Sequence, residues 1–376
     1  MKNDPDAPKP EGPLRHGWTT GACATAAAKA AYQALRTGAF PDPVVITLPG
    51  GQQPAFALAR ETLGAGEALA GVVKDAGDDP DVTHGALVWA RVRRRPDTGT
   101  GIRFLAGAGV GTVTRPGLPL AVGEPAINPV PRRMISAELT ALNGGTAPDI
   151  EVEVGVEGGL ELAHHTLNGR LGIVGGLSIL GTTGIVVPYS CAAWIDSIHR
   201  GVDVARALGI HHIAGSTGST SEAAIQALHG LPEQALIDMG DFVGGLLKYL
   251  RRHPVDRLTI AGGIAKMVKL GQGLMDLHSK RGRVDLVRLA DIAARCGVDD
   301  ERQALIRDAA GAGEAFVIAG ADAAAMADLV VREARDVVVA ALDGSGIAVE
   351  VVAFDRRGVR VGHAPFPDAV GRNRRS

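Results

Sequence analysis

After about residue 165 the chain settles into a rhythm of apolar runs and helical windows. LGIVGG is followed by CAAWIDSIHRGVDVARALG, IHHIAGS by TSEAAIQALHG, QALIDMG by DFVGGLLKYLRRH, and then comes RLTIAGG. Short apolar runs alternating with helices are the pattern of a parallel sheet, because the crossover helices cover both of its faces. Helices dominate from about 283 to 342, and IAVEVVAFDRRGVRVGHA closes the pattern as a hairpin. The earlier part reads as α+β. PVVITLPGG is a strand and turn, Pro131 to Leu142 falls in a helix, and DIEVEVGVEGG alternates at period two. A chain of 376 residues suits two domains. The expected division is a polar tail at 1–13, an α+β domain at 14–168, an α/β domain with a parallel sheet at 169–342, a hairpin at 343–366 and a second tail at 367–376.

The α+β part begins with RHGWTTGACATAAAKAA, residues 15–31. Alanines at 22, 24, 26, 27, 28, 30 and 31 make a thin helix that neighbours can approach closely. Thr19 or Thr20 caps it by accepting from a free N–H of the first turn. One cap suffices for stability. Two threonines and two glycines leave open that the backbone there also meets a ligand, such as an anion at the positive helix end.

Composition excludes several function classes. The formal net charge is −2 and aromatic residues make up 3% of the chain. Neither a basic field nor a stacking surface for nucleic acid is expected, nor attraction to an anionic membrane. Cys23, Cys191 and Cys296 stand far apart with no Cys-x-x-Cys pair. That suits free thiols in a reducing, cytoplasmic compartment and gives no structural zinc site. Leu171 to Ile195 is uncharged over 25 residues, yet five glycines and Pro188 make it two buried segments around a loop, not a membrane span.

No Walker A sequence is present, since GGIAKMVK has the wrong spacing and no Ser or Thr follows Lys266. GAGVG at 107–111 lies between strands with no helix after it, which is not a dinucleotide loop. Five stretches remain. VKDAGDDPDVTHG gathers Asp75, Asp78, Asp79, Asp81 and His84 in one loop. Such a loop can hold a cation or a ligand's N–H and O–H groups, or can simply be an Asp/Gly turn. GLSILGTTGIVVP at 176–188 reads as a strand-end loop opening the second domain. GSTGSTSE at 215–222 and AGGIAK at 261–266 follow the next strands on the same edge, where open sheets bind ligands. Ordinary helix capping by Ser219 or Thr220 is the plainer reading of the first of these two. GEPAINPVPRRM, with three prolines, can present Arg132 and Arg133 to carboxylates or phosphates, or place an Arg pair at the surface. The pairs His164-His165 and His211-His212 lack ligand spacing and read as structural or capping residues. No metal-ligand set is expected.

Taken together, RHGWTTGACATAAAKAA, VVKDAGDDPDVTHG, GVGTVTRPGL, GEPAINPVPRRM, HTLNGRLGIVGGLSILGTTGIVVP and KMVKL resemble the cobalt-precorrin-5B C1-methyltransferase family of cobalamin biosynthesis (CbiD), in order from about residue 14 to 290. The resemblance implies S-adenosylmethionine-dependent methylation of ring carbon 1 of a cobalt-corrinoid intermediate, giving cobalt-precorrin-6A. It also implies an N-terminal α+β domain like domain 2 of ribosomal protein S5, followed by a small parallel α/β domain. This chain departs from the family pattern at Trp18, Gly263 and Ala265. On this reading the donor sits against Gly176, Ser178, Gly181, Thr182 and Thr183, with Asp75, Asp78 and Asp79 positioning its amino or ribose groups or holding the macrocycle's amide edge. The corrinoid's carboxylates meet Lys74, Arg132, Arg133 and Lys266, and the N–H groups around Thr19, Thr20 and Gly21. No acid or base is required, and the oligomeric state, a homo-oligomer included, stays open. Two rivals are a small-molecule phosphotransferase, which would need a phosphate loop not found here, and a non-catalytic corrinoid carrier, which would bind pigment and ignore the donor.

Overall fold

The computed structural model describes residues 12–279 and 281–367. Apart from residues 12, 13 and 367, the two expected tails lie outside them. The chain divides into two compact units, Met1–Cys191 and Ala192–Ser376.

The first unit is built on α1, Thr20–Thr37. Thr19 caps it from an extended conformation, its Oγ1 accepting from the Ala22 N–H at 3.2 Å. Gly38 ends it at φ 83°, a left-handed turn that glycine adopts without strain. The alanines expected to make a thin helix are fully buried, among them Ala24, Ala27, Ala28 and Ala31. They press on a five-stranded sheet formed by β1 (Arg60–Gly64), β2 (Glu67–Val73), β3 (Leu87–Arg94), β4 (Ile102–Ala106) and β5 (Ile150–Val156). Its order is β1-β2-β3-β5-β4, with only β5 and β4 parallel. The facing side chains are also small: Ala68, Ala70 and Val72 on β2, Val88, Ala90 and Val92 on β3. The helix α2, Pro129–Leu142, packs beside α1. The opposite sheet face carries cross-strand ion pairs, Arg93 with Glu67 at 2.8 Å and Arg91 with Glu153 at 3.3 Å.

The segment 176–188 does not open the second unit's sheet, as its apolar run suggests. Gly176–Leu177 pairs in parallel with Gly109–Val110, and Ile185–Val186 pairs with Gly17–Trp18. Glycine decides this. A Cβ on Gly176 would collide with the Gly109 backbone, and one on Gly109 with the Val156 carbonyl. The GAGVG stretch is therefore a point of close backbone approach, as glycine inside a strand pattern often marks.

In the second unit, α3 (Cys191–Ala207) leads to β6 (His212–Ser216), α4 (Ser219–His229), β7 (Leu236–Asp238), α5 (Val243–Leu250), β8 (Arg257–Gly263) and α6 (Ile264–Gly271). The helices α7 (Leu286–Arg295), α8 (Asp300–Arg307), α9 (Ala312–Ala319) and α10 (Ala323–Leu342) follow. The closing strands β9 (Ala348–Phe354) and β10 (Arg360–Ala364) do not stand apart as a separate hairpin. They complete the sheet β7-β6-β8-β9-β10, parallel from β7 to β9 with β10 antiparallel at the edge. The parallel strands are buried by helices on both faces, with Ile213, Ile260 and Val351 on one and Ala214, Ala261 and Val352 on the other. Among the described residues no helix is long and apolar enough to cross a membrane.

The closeness of α1 to its sheet sets an expected outcome. Ala27→Leu inserts three carbons where no space exists and destabilises the chain by about 1–3 kcal/mol, read as a lower urea midpoint. An unchanged midpoint would mean that α1 is not clamped between sheet and α2.

Candidate active site

Three stretches far apart in sequence meet at the N-terminus of α1. The first is residues 15–21 and the second is the loop after β2. Asp75 is bonded by the Arg15 guanidinium and accepts the Gly77 N–H at 2.9 Å. The Arg15 N–H donates to Asp78 at 2.6 Å, and the Trp18 N–H to the Asp75 carbonyl at 2.7 Å. The bond from the Arg15 guanidinium, and after it the Gly77 N–H, hold the Asp75 carboxyl at about 2. Side chains are excluded from this contact, because a Cβ on Gly17 would enter the Ala76 backbone. Lys74 is 1% exposed, with its ammonium 2.6 Å from Asp81. Burial by itself would raise the Asp81 carboxyl, but Lys74 and the Thr83 N–H and hydroxyl outweigh it and keep it low. Asp79 accepts the Tyr189 N–H at 2.8 Å, and burial raises its carboxyl.

The third stretch is 176–186. Gly21 N–H donates to the Leu180 carbonyl at 3.0 Å, and Thr19 N–H to that of Gly184 at 3.0 Å. The Thr20 hydroxyl bonds both backbone groups of Leu180. Gly181, at φ 128°, lies so close to Thr19 that a Cβ would collide with its hydroxyl. Ser178 reaches Asn168 at 3.4 Å, Thr183 closes a local turn with Ile185, and Thr182 and Thr183 are exposed. The backbone of 126–128 joins the group, Asn128 N–H donating to the Ile179 carbonyl at 2.9 Å, and so brings the start of α2 there.

The structure thus gathers Thr19, Thr20, Gly21, Asp75, Asp78, Asp79, Ser178, Gly181, Thr182 and Thr183 on the first unit. It revises several of their expected roles. The N–H groups of Thr19, Gly21 and Ala22 are bonded within the chain, so they are not open to a substrate carboxylate. Lys74 is enclosed with Asp81 and does not reach the surface. Arg132 holds its own loop, donating to Ile127 O at 2.8 Å, Pro125 O at 3.0 Å and Glu124 at 2.9 Å. Lys266 belongs to the second unit and is paired with Asp241. Of the four cations expected to meet carboxylates, Arg133 alone is exposed and carries no ion pair among the described residues.

Two further places in the second unit carry chemistry. At the C-terminal ends of β6 and β8 the strand order reverses, as GSTGSTSE and AGGIAK suggest, and Lys266 stands there. The N-cap of α4 is Gly218, and neither Ser219 nor Thr220 caps that helix; Ser221 instead donates to the Gly218 carbonyl at 2.8 Å. At the opposite end of the sheet, Glu350 on β9 is 3% exposed. It meets His229 at 2.6 Å, His363 at 2.8 Å and the Thr259 hydroxyl at 2.7 Å. His212 lies 2.8 Å from Thr259 and is pushed down to about 4, chiefly by burial and then by His229.

The CbiD family matches residues 7–188, nearly the whole of the first unit, and the domain described as "CbiD, C-terminal domain" matches residues 276–365. A protein of Bradyrhizobium named cobalt-precorrin-5B C(1)-methyltransferase is 59% identical, over 96% of this chain and 97% of its own length. The chain belongs to the CbiD family. Its similarity to a protein of the same name from Agrobacterium fabrum is 57% identity over 96% of this chain and 98% of that one. A crystal structure of the cobalamin biosynthesis protein CbiD from Archaeoglobus fulgidus is 28% identical, covering 72% of this chain and 84% of that chain, with a TM-score of 0.38.

In this CbiD chain the polar group at the head of α1 is the residue set that sequence reasoning found without knowing that its parts touch. Arg15 was missed, although its place two residues before Gly17-Trp18 and the density of carboxylates at 75–81 are signals for it. The His212 group was missed because its members come from four strands and a helix with no local spacing.

Asp75 provides a pH test of this site. Its folded value lies below that of an unfolded aspartate, so its stabilisation is complete above about pH 4 and disappears as the pH falls through about 2. Asp75→Asn is expected to lower the urea midpoint at pH 5 and to match the parent chain near pH 2. Equal midpoints at both pH values would remove the Arg15–Asp75 pair from the account.

Proposed function

We propose that this chain transfers a methyl group from S-adenosylmethionine to ring carbon 1 of cobalt-precorrin-5B, giving cobalt-precorrin-6A. The observation that carries this reading is the 59% identity, over nearly full length, to a protein named for that reaction. The meeting of residues 15–21, the acidic loop and 176–186, all within strings that resemble the family, supports it.

The chemistry is an in-line displacement. The electron-rich ring carbon attacks the methyl carbon, the C–S bond breaks, and the sulfonium charge disappears as neutral S-adenosylhomocysteine leaves. Charge is lost on the way to the transition state, so a water-poor site favours it. Alignment supplies the rest, and well-oriented reactants gain on the order of 7–11 kcal/mol. This chain offers a fixed backbone at the head of α1, which suits alignment.

Within that reading, Thr182 and Thr183 are the exposed hydroxyls beside the acidic loop, and they hold the donor's polar groups with Asp75, Asp78 and Asp79. Arg133 meets a peripheral carboxylate of the corrinoid. It is the candidate cation that its own chain leaves open.

The test is mass spectrometric. Chain incubated with cobalt-precorrin-5B and methyl-labelled S-adenosylmethionine is expected to add one labelled methyl to the pigment. Pigment that binds tightly but gains no label would favour a carrier instead. Replacing Thr182 and Thr183 together by Val is expected to weaken donor binding by about 2- to 10-fold per lost hydrogen bond. Unchanged donor affinity would move the donor away from residues 176–183. Arg133→Ala is expected to raise KM for the pigment with little effect on donor affinity.

A further inference from the structure

The His212 group lies outside everything assigned above. Five elements deliver it: His212 from β6, Thr259 from β8, Glu350 from β9, His363 from β10 and His229 from the last turn of α4. Adjacent strands of a sheet are rigid relative to one another, so the donors are held in place before any ligand arrives. The ring nitrogens of His212 and His229 and a carboxylate oxygen of Glu350 all lie within 4.8 Å of one another. Phe366 covers them, its ring 5.3 Å from that of His212, and the Arg257 guanidinium lies 5.5 Å from the Phe366 ring.

We infer that His212, His229 and Glu350 form a binding site for one divalent transition ion of the zinc type. Two imidazole nitrogens and one carboxylate oxygen are a common three-ligand set for such ions, with the fourth position left for water. A four-coordinate zinc with bonds near 2.0–2.2 Å spaces its ligand atoms about 3.3 Å apart. His229 and Glu350 now stand 2.6 Å apart, so the ion opens that contact by less than about 1 Å while His212 closes in. The remaining neighbours have the places expected of supporting groups. His363 donates to the other carboxylate oxygen of Glu350 at 2.8 Å, fixing its orientation. Thr259 stands between Glu350 and His212 at 2.7 and 2.8 Å. Hydrogen bonding to Glu350 needs no more than His229, His363 and Thr259. His212 is then a further imidazole, half-buried with its ring nitrogen turned inward. On binding, each of His229 and His212 presents an unprotonated inward nitrogen, a proton carried there moving to the ring's other nitrogen, or to solvent from a doubly protonated ring. The ion would tie the end of α4 to the sheet.

The experiment uses the full chain without an affinity tag, freed of metal by a chelator and kept free of pigment. Zn²⁺ is titrated calorimetrically, Co²⁺ is added separately as a visible-light probe, and Mg²⁺ serves as a competitor. One equivalent of Zn²⁺ per chain is expected, with a cobalt spectrum of a low-coordinate nitrogen–oxygen site and no competition from Mg²⁺. His212→Ala is expected to abolish one-equivalent binding, and His363→Ala to weaken it by about 10- to 100-fold. His165→Ala, at an exposed histidine outside the group, is expected to leave it unchanged. Circular dichroism of each metal-free variant checks folding. His229→Gln is the second ligand variant should His212→Ala fail to fold, and it too is expected to lose binding. Absence of saturable binding in the parent chain would overturn the site and leave a hydrogen-bond network alone. So would binding that survives His212→Ala or His229→Gln, or binding lost in His165→Ala. None of these readouts involves methyl transfer, so the site and the proposed reaction stand or fall separately.

Discussion

The approach of α1 to its sheet is the constraint on which the first unit depends. A helix walled by alanine, facing Ala68, Ala70 and Ala90, sits closer to a sheet than one walled by leucine. Close packing of this kind leaves little room for relaxation, so it fixes the helix along its length. Its N-terminus then becomes a fixed point, to which the acidic loop and the 176–186 segment both attach by backbone hydrogen bonds.

The polar chemistry at this point follows from how those attachments are made. Gly17 and Gly176 admit neighbouring backbone, and Gly181 the Thr19 side chain, where a Cβ would collide. Once the backbones touch, their N–H and carbonyl groups satisfy one another, and the helix end has little left to offer an anion. The carboxylates are likewise engaged, Asp75 by Arg15 and Asp81 by Lys74. A buried ion pair such as Lys74–Asp81 is weak as a source of stability, but breaking it leaves a buried charge, so it fixes the loop in one arrangement. Thr182 and Thr183, by contrast, stay exposed.

The second unit divides its chemistry between the two ends of one sheet. The strand order reverses between β6 and β8, which places Lys266, Asp241 and two glycine-led helix starts at the C-terminal end. The histidine group lies at the other end, where the last strand turns antiparallel. These two ends come from the same alternating strands, and their separation along the strands keeps the Lys266–Asp241 pair apart from the histidine group.

The sequence by itself determined most of the local structure. Alanine spacing gave α1, alternation gave β5, and the rhythm after residue 165 gave the parallel strands, because period and side-chain size act over a few residues. It also carried the family, through long unusual strings. Tertiary structure alone decided three things. The run at 176–188 is apolar enough for either unit, and the glycine contacts with Gly109 and Thr19 assigned it to the first. Arg132 and Lys74 look like free cations in the sequence, but Glu124 and Asp81 neutralise them across the fold, and a one-dimensional pattern cannot show which charges become partners. His212, His229 and Glu350 are separated by as much as 138 positions in the sequence (350 − 212), and only the register of the sheet and the packing of α4 on it bring their ligand atoms within 4.8 Å of one another.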